Sequence, residues 1–132
     1  MLSLDLNSKF AEYIKTSEHY FNNLKDVLSK NEYRKASEYL WGTIAQLIKA
    51  LAYLYGIPLG SHKSIKIFIR EIATEKNDEE YFKSFLFLEK LHVNFYDEII
   101  EPEEFQIYLK SANNFLNKTN RLITKKLKEN KK

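Results

Sequence analysis

The side chains best suited to chemistry lie in two short segments, each of which contains a histidine. In the first, Ser61 and His62 follow an Ile-Pro-Leu-Gly loop and precede a periodic apolar segment. Serine at such a position caps a helix, and the backbone N–H groups of the first helical turn favour anions such as phosphate. The pair therefore predicts either a phosphate site or a helix cap beside a packing histidine.

The second segment is LHVNFYDE, residues 91–98, near the end of an aromatic stripe. His92, Asn94 and Tyr96 place an imidazole, a carboxamide and a phenol within it. His92 falls on the apolar face of the predicted helix, so we expect it to be buried or at an interface. Because buried polar groups need partners, the segment indicates either a ligand site or a histidine satisfied within the core.

Lys49 is a third candidate, on a polar seam that runs along an otherwise apolar segment. The seam either lines a site or is the edge of this helix that meets solvent or another subunit. It consists of Lys35, Glu38, Gly42, Gln46, Lys49 and Tyr53.

Several classes of site are excluded by what the chain lacks. It has no cysteine, which excludes disulfides, thiolate catalysis and cysteine-ligated zinc or iron–sulfur centres. No two of its three histidines have the i,i+4 spacing of a helical metal site, and no Gly-rich phosphate loop or nucleophile elbow occurs. We therefore predict no metal site, no cofactor and no catalytic residue of these types.

The element that must position these residues is the longest apolar segment, which runs from Lys35 to Gly56. At helical period it forms two adjacent apolar ridges, so other elements must cover most of its circumference. This predicts the central helix of an all-α protein. The ridges contain Ala36, Leu40, Ile44, Leu47, Leu51 and Leu54, and then Trp41, Ala45, Ile48, Ala52 and Tyr55.

Four further segments complete a predicted compact bundle of about five helices. The first, from Leu4 to Leu28, precedes a short turn and should pack antiparallel against the central helix. Residues 61–75 fit a strand or a helix, and we predict a helix because no partner strand is present. A fourth helix is expected from Asn77 or Asp78 through Ile99.

The fifth helix begins at Pro102, with acidic residues in its first turn, and runs through residue 123. Beyond it, five of the last eight residues are lysine; without residues 125–132 the chain has 16 basic and 17 acidic residues, a net charge of −1. We therefore predict one domain over residues 1–124 and a Lys-rich tail over 125–132. The tail is interpreted as lysines at a helix end and then a solvated terminus.

The longest apolar stretch is too short to span a membrane. Leu40 to Tyr55 covers 16 residues and contains Gln46 and Lys49, whereas a span needs about 20 apolar residues. Charged residues also interrupt the start of the chain, unlike a signal peptide. We expect a cytoplasmic protein without a membrane partner.

Three parts of the sequence together resemble the archaeal PaREP family. They are YRKASEYLWGTIAQLIKALAYLYG, SHKSI after a short loop, and LHVNFYDE before the terminal helix, within Glu32 to Ile123. That family in turn resembles the HEPN superfamily (higher eukaryote and prokaryote nucleotide-binding domains). The resemblance implies a four- or five-helix bundle, usually dimeric, that binds nucleotides or RNA. It also implies, for many members, metal-independent ribonuclease activity in toxin–antitoxin or defence systems, sometimes with a small nucleotidyltransferase as partner.

The sequence departs from the pattern of HEPN ribonucleases, which have an arginine followed four to six residues later by a histidine. In the corresponding region this chain has Lys90 and His92, and no histidine follows Arg70 at that spacing. A ribonuclease needs a general base and a cation for the developing charge, so we do not transfer catalysis. The ligand site implied by the resemblance comprises Lys49, Ser61, His62, His92, Asn94 and Tyr96.

Three functions follow from these observations. The first is a homodimeric, non-catalytic HEPN-like domain that binds nucleotide or RNA. The second is a protein-interaction or antitoxin-type module of a toxin–antitoxin or nucleotidyltransferase system, because Tyr and Phe, nine of each here, are enriched at interfaces. The third is a ribonuclease whose site is rebuilt around His92.

Overall fold

The computed structural model describes residues 2–93 and 100–131, and the side chains of residues 9–92 and 100–131. Within these ranges the chain forms helices and loops with no strand, which confirms the predicted all-α bundle. In this described part of the chain, five helices have ten or more residues, and one has a single turn. The helices are α1 (Leu2–Ser29), α2 (Tyr33–Leu54), α3 (His62–Glu75), α4 (Glu79–Leu88), α5 (Lys90–Val93) and α6 (Pro102–Asn130).

Helix α2 is the centre of the bundle and packs against α1, α3, α5 and α6. Both predicted apolar ridges are buried, except that Tyr55 at the end of the second is partly exposed. The polar seam is the least covered part of the helix, with Lys35 and Glu38 exposed and Lys49 partly exposed. Burial of nearly the whole circumference explains why this segment is apolar on most sides.

Helix α1 packs antiparallel against α2, as predicted from the short turn between them. Asn31 adopts a left-handed conformation (φ 58°) in that turn. The two helices approach closely at Gly42, where an added Cβ would lie 3.1 Å from ring atoms of Tyr20. The missing side chain at Gly42 therefore lets the Tyr20 ring lie directly against α2.

The predicted helix ends agree with the structure at three boundaries. Gly56 ends α2 with φ 73°, and the N–H groups of Gly56 and Ile57 donate to the carbonyls of Tyr53 and Ala52, as in a Schellman motif. Asp78 caps α4 by accepting from the Tyr81 N–H. Pro102 occupies the first turn of α6, beside two glutamates.

The fourth predicted helix is not continuous. The sequence predicts one helix from Asn77 or Asp78 through Ile99, but α4 ends at Leu88 and a separate turn, α5, begins at Lys90. At this junction the His92 N–H donates to the Glu89 carbonyl, three residues away rather than four, so the backbone tightens. Residues 94–99 of the prediction lie outside the described residues.

The predicted boundary at residue 124 does not mark the end of a helix. Helix α6 continues through Asn130, so residues 125–130 are helical, although most of them are exposed to solvent. Two contacts hold this part of α6 against the end of α2. The Asn130 side chain donates to the Leu54 carbonyl at the end of α2 (3.0 Å), and Lys126 Nζ lies 4.3 Å from the centre of the Tyr55 ring.

Candidate functional site

The first predicted pair lies at the start of α3, where Ser61 is the N-cap. The Ser61 hydroxyl accepts from the Ser64 N–H, and the Ser64 hydroxyl lies 3.1 Å from the Ser61 N–H, which completes a reciprocal capping box. His62 is therefore fixed at the first position of the helix, and its ring projects toward α4 and α5. The Ser61 side chain acts in the cap, which is the structural alternative that the sequence left open.

The structure brings His62 and His92 together against Trp41 of α2. The two imidazole rings stack with centroids 5.2 Å apart and planes at 19°. The Trp41 ring lies 5.3 Å from His62 and 5.7 Å from His92. Three rings from three helices thus form one cluster, with buried Trp41 beneath the two histidines.

His92 is exposed in the single chain, so it is not buried in the core, which was one of the two positions predicted from the sequence; the other position, at an interface, stays a prediction. The reason for the exposure is the break at Glu89. Because α5 is a separate turn, His92 is not aligned with the apolar stripe of α4 and instead lies over the rings of Trp41 and His62. One face of the cluster therefore meets solvent.

Glu89 joins the cluster from the α4–α5 junction. An ionised carboxylate can only accept, so His62 Nε2–H donates to Glu89 Oε2, at 2.5 Å. The other carboxylate oxygen lies 3.6 Å from Lys66 Nζ, one helical turn beyond His62 on α3. The Glu89 side chain is only 16% exposed. Glu89 thus fixes the orientation of His62 and holds Lys66 beside it.

The other predicted site residues do not all belong to this cluster. Lys49 follows Trp41 by eight residues, about 12 Å along α2. It lines a separate cavity of about 230 Å³ with Lys9, Tyr13 and the loop after α2. Asn94 and Tyr96 lie outside the described residues. The structure therefore brings His62 and His92 into contact, whereas Lys49 lines a different cavity.

Three members of the cluster were not predicted from the sequence. The sequence pattern places Trp41 in the core only, and it does not single out Glu89 or Lys66 as site residues. One local signal was available: an acidic residue at the C-terminal end of α4 opposes the helix dipole, which favours cations there. Such a carboxylate needs cationic or donor partners from another helix, and here His62 and Lys66 provide them.

The arrangement offers aromatic surface, hydrogen-bond donors and one cation in a small area. Flat exposed rings stack on nucleobases, and a lysine beside them can contact a phosphate as a point charge. In the neutral ring of His62, Nδ1 carries the lone pair when Nε2–H donates to Glu89, so it can accept a hydrogen bond. Within the described ranges no group of three or more metal-ligating residues has a geometry that could hold an ion.

A family model described as the archaeal PaREP1/PaREP8 family matches residues 12–116. The chain therefore belongs to that family. The matched range contains Trp41, His62, Lys66, Glu89 and His92. Comparisons with curated proteins and with solved structures found no match. Among the described helices, none is long and apolar enough to cross a bilayer.

Proposed function

We propose that this PaREP1/PaREP8 family member binds a nucleotide or RNA without cleaving it, at the cluster formed by Trp41, His62, Lys66, Glu89 and His92. The observation that carries the proposal is the ring cluster of Trp41, His62 and exposed His92, beside a lysine. The proposal includes the HEPN-like ancestry that the sequence resemblance implies.

The rings supply the base-binding part of the proposed site. Base–aromatic stacking contributes about 1–3 kcal/mol per base and tolerates any base, because every base has a flat π face. His92 presents an exposed ring, and Trp41 beneath it fixes its plane. A base stacked on His92 would therefore extend an existing stack.

Lys66 supplies the proposed phosphate contact. Its ammonium group is only partly exposed and lies near Glu89 at 3.6 Å, a loose ion pair. A phosphate carries more charge than a carboxylate and would share Lys66 with Glu89. Glu89 also accepts a hydrogen bond from His62, so the same carboxylate holds the His62 ring and the Lys66 ammonium group beside each other.

Trp41 provides a direct test because it is the only tryptophan in the chain. Binding of a nucleoside monophosphate at the cluster should change Trp41 fluorescence in low-salt buffer, with AMP, GMP, CMP and UMP titrated separately. His92→Ala should weaken binding about 5- to 150-fold, the equivalent of one lost base stack. Lys66→Gln should weaken binding of the monophosphate more than binding of the nucleoside.

His19→Ala is the matched control. His19 is an exposed ring on α1 that contacts Tyr20 and Asn23 and belongs to no cluster with Trp41. This variant should bind with the affinity of the wild type. An unchanged Trp41 signal with all four nucleotides, or equal affinities for the His92 and His19 variants, would rule the proposed site out.

The proposal also includes a homodimer and a partner protein of the small nucleotidyltransferase type, both of which rest on the HEPN likeness. Light scattering across micromolar concentrations tests the dimer. A monomer throughout that range would remove the dimer from the proposal and would leave the ligand site unaffected.

A second candidate, ribonuclease activity, is favoured by the His62–Glu89 hydrogen bond. A carboxylate that orients one imidazole, beside a second imidazole and a lysine, supplies a general base, a general acid and a cation for the developing phosphorane charge. The test is cleavage of a mixed RNA pool by the wild type and by His62→Ala. Equal rates would dismiss this candidate.

A further inference from the structure

The C-terminal half of α6 presents four cations on one face. Lys118, Arg121, Lys125 and Lys128 recur at spacings of three, four and three residues, so they are neighbours along the helix surface. The last of them follows the first by ten positions, about 15 Å along the helix. We call these four residues the α6 stripe. The stripe extends from the predicted domain into the predicted tail. Its four residues lie on one face because α6 is continuous across residue 124.

Little negative charge offsets the α6 stripe. Lys118 Nζ pairs with Asp78 at 3.0 Å. No carboxylate of the described residues lies within 4 Å of the charged groups of Arg121, Lys125 or Lys128. The nearby Glu129 already pairs with Lys126, at 3.8 Å. Three adjacent cations therefore remain available to an anion.

The stripe borders two adjoining hollows. One, of about 220 Å³, lies between α6 and the α3–α4 turn and adds a fifth cation, Lys76. The other, of about 360 Å³, includes Asn120, whose side-chain N–H groups can donate to oxygen atoms, and Thr124, whose hydroxyl donates to the Asn120 carbonyl. Arg121 and Lys125 line both hollows. The cations and donors thus follow a continuous track rather than a single closed pocket.

The stripe lies on a fixed helix. Asn130 is bonded to the Leu54 carbonyl, and Lys126 lies over the Tyr55 ring, so the end of α6 is attached to the end of α2. Alignment of the cations before binding lowers the entropy cost of contacting several phosphates at once.

Neither the helix dipole nor a membrane surface accounts for the whole α6 stripe. The dipole favours cations in the last turn, but Lys118 and Arg121 lie two or more turns before the end of α6. An interfacial membrane helix needs an exposed apolar face, whereas the apolar side of α6, with Phe115, Thr119 and Ile123, is buried in the bundle. A linear series of phosphates fits the track better.

We propose that the α6 stripe, with Lys76, is a docking surface for the phosphate backbone of single-stranded RNA. Lys76 and His62 mark opposite ends of α3, about 21 Å apart by helical rise, which is too far for one nucleotide to contact both. The surface therefore assigns RNA, rather than a free nucleotide, as the natural ligand. The choice of RNA over other polyanions rests on the proposed function, whereas the phosphate track rests on α6 itself.

Salt dependence tests this surface. Four cations without a close carboxylate (Lys76, Arg121, Lys125 and Lys128) predict a slope of about −2.8 in log K against log salt for a single strand. Affinity for a fluorescent 12-nucleotide oligouridine, measured by anisotropy, should then fall about 50-fold between 50 and 200 mM salt. The triple variant Arg121→Gln/Lys125→Gln/Lys128→Gln should show a fall of only about 3-fold.

The control variant is Lys15→Gln/Arg70→Gln/Lys110→Gln, which removes the same charge from exposed positions elsewhere. It should keep the wild-type salt slope. Equal slopes for the two triple variants, with both still helical by circular dichroism, would overturn the α6 surface. So would binding to phosphatidylserine vesicles without binding to the oligouridine.

The test separates this inference from the proposed function. The α6 triple variant should retain the Trp41 fluorescence response to nucleoside monophosphates. If that response persists while the salt slopes are equal, only the α6 surface is wrong. If the oligouridine slope changes as expected but no monophosphate affects Trp41, the ring cluster is wrong and the α6 surface stands.

Discussion

The hydrogen bond between Tyr81 and Thr119 joins α4 to α6 inside the core, and it gives a quantitative test of the packing. The two hydroxyl oxygens are 2.7 Å apart, and both side chains are almost completely buried. The Thr119 hydroxyl donates to the Phe115 carbonyl at 2.8 Å, so its proton is already used. Tyr81 must therefore be the donor to Thr119.

This direction makes the two single substitutions unequal. Tyr81→Phe removes the donor and leaves no buried donor unpaired, so the free energy of unfolding should fall by only about 1 kcal/mol. Thr119→Val removes the acceptor and leaves the Tyr81 O–H buried without a partner, which should cost about 2 kcal/mol. The double variant replaces both polar groups by apolar ones of similar shape, so it should lose less than about 1 kcal/mol.

Urea unfolding followed by circular dichroism measures these differences, provided that the m-value stays constant across the four proteins. The expected coupling between the two sites is about 2 kcal/mol, within the range for residues in direct contact. Additive effects in the double variant, or a larger loss for Tyr81→Phe than for Thr119→Val, would refute the assigned direction of the hydrogen bond.

Three further predictions concern stability. Burial raises the pKa of Tyr81 well above its ordinary value near 10. The Tyr81 hydroxyl therefore loses its proton at a lower pH in the unfolded chain than in the folded one, so the free energy of unfolding should fall above pH 10. Between pH 10 and 11 the wild type should lose about 1 kcal/mol more of this free energy than Tyr81→Phe. Gly56→Ala should lower the free energy of unfolding by about 1 kcal/mol, because φ at Gly56 is +73°, which strains any residue with a Cβ. No atom lies within 4 Å of the added Cβ, so a clash does not contribute. Ser61→Ala should cost about 1 kcal/mol through loss of the α3 cap.

Matched variants check the last two of these predictions by urea unfolding. Gly60 also has open space at its Cβ position but no positive φ, so Gly60→Ala should be neutral or slightly stabilising. Ser61→Asp keeps a capping oxygen and should retain most of the stability lost in Ser61→Ala. Equal losses at Gly56 and Gly60 would contradict the backbone explanation.

Much of the fold could be predicted from local patterns. The two ridges of α2 specify a central helix, and the signals at Gly56, Ser61, Asp78 and Pro102 mark helix ends because each supplies a local backbone or capping interaction. The structure departs from the predicted helix bounds at two places where residues far apart in the chain are in contact. The fourth helix breaks at Glu89, whose carboxylate contacts His62 and Lys66, and the last helix continues to Asn130, whose side chain bonds to the end of α2.

Helical periodicity and caps depend on neighbouring residues only, so the sequence alone predicts an all-α bundle built around α2. It also singled out His62 and His92 as residues able to do chemistry. The tertiary structure was needed to place these two rings beside Trp41 and to show that Glu89 orients one of them. It also decided that Lys49 lies elsewhere and that the C-terminal cations align on α6. These placements depend on how helices cross, and crossing is set by packing between residues far apart in the chain.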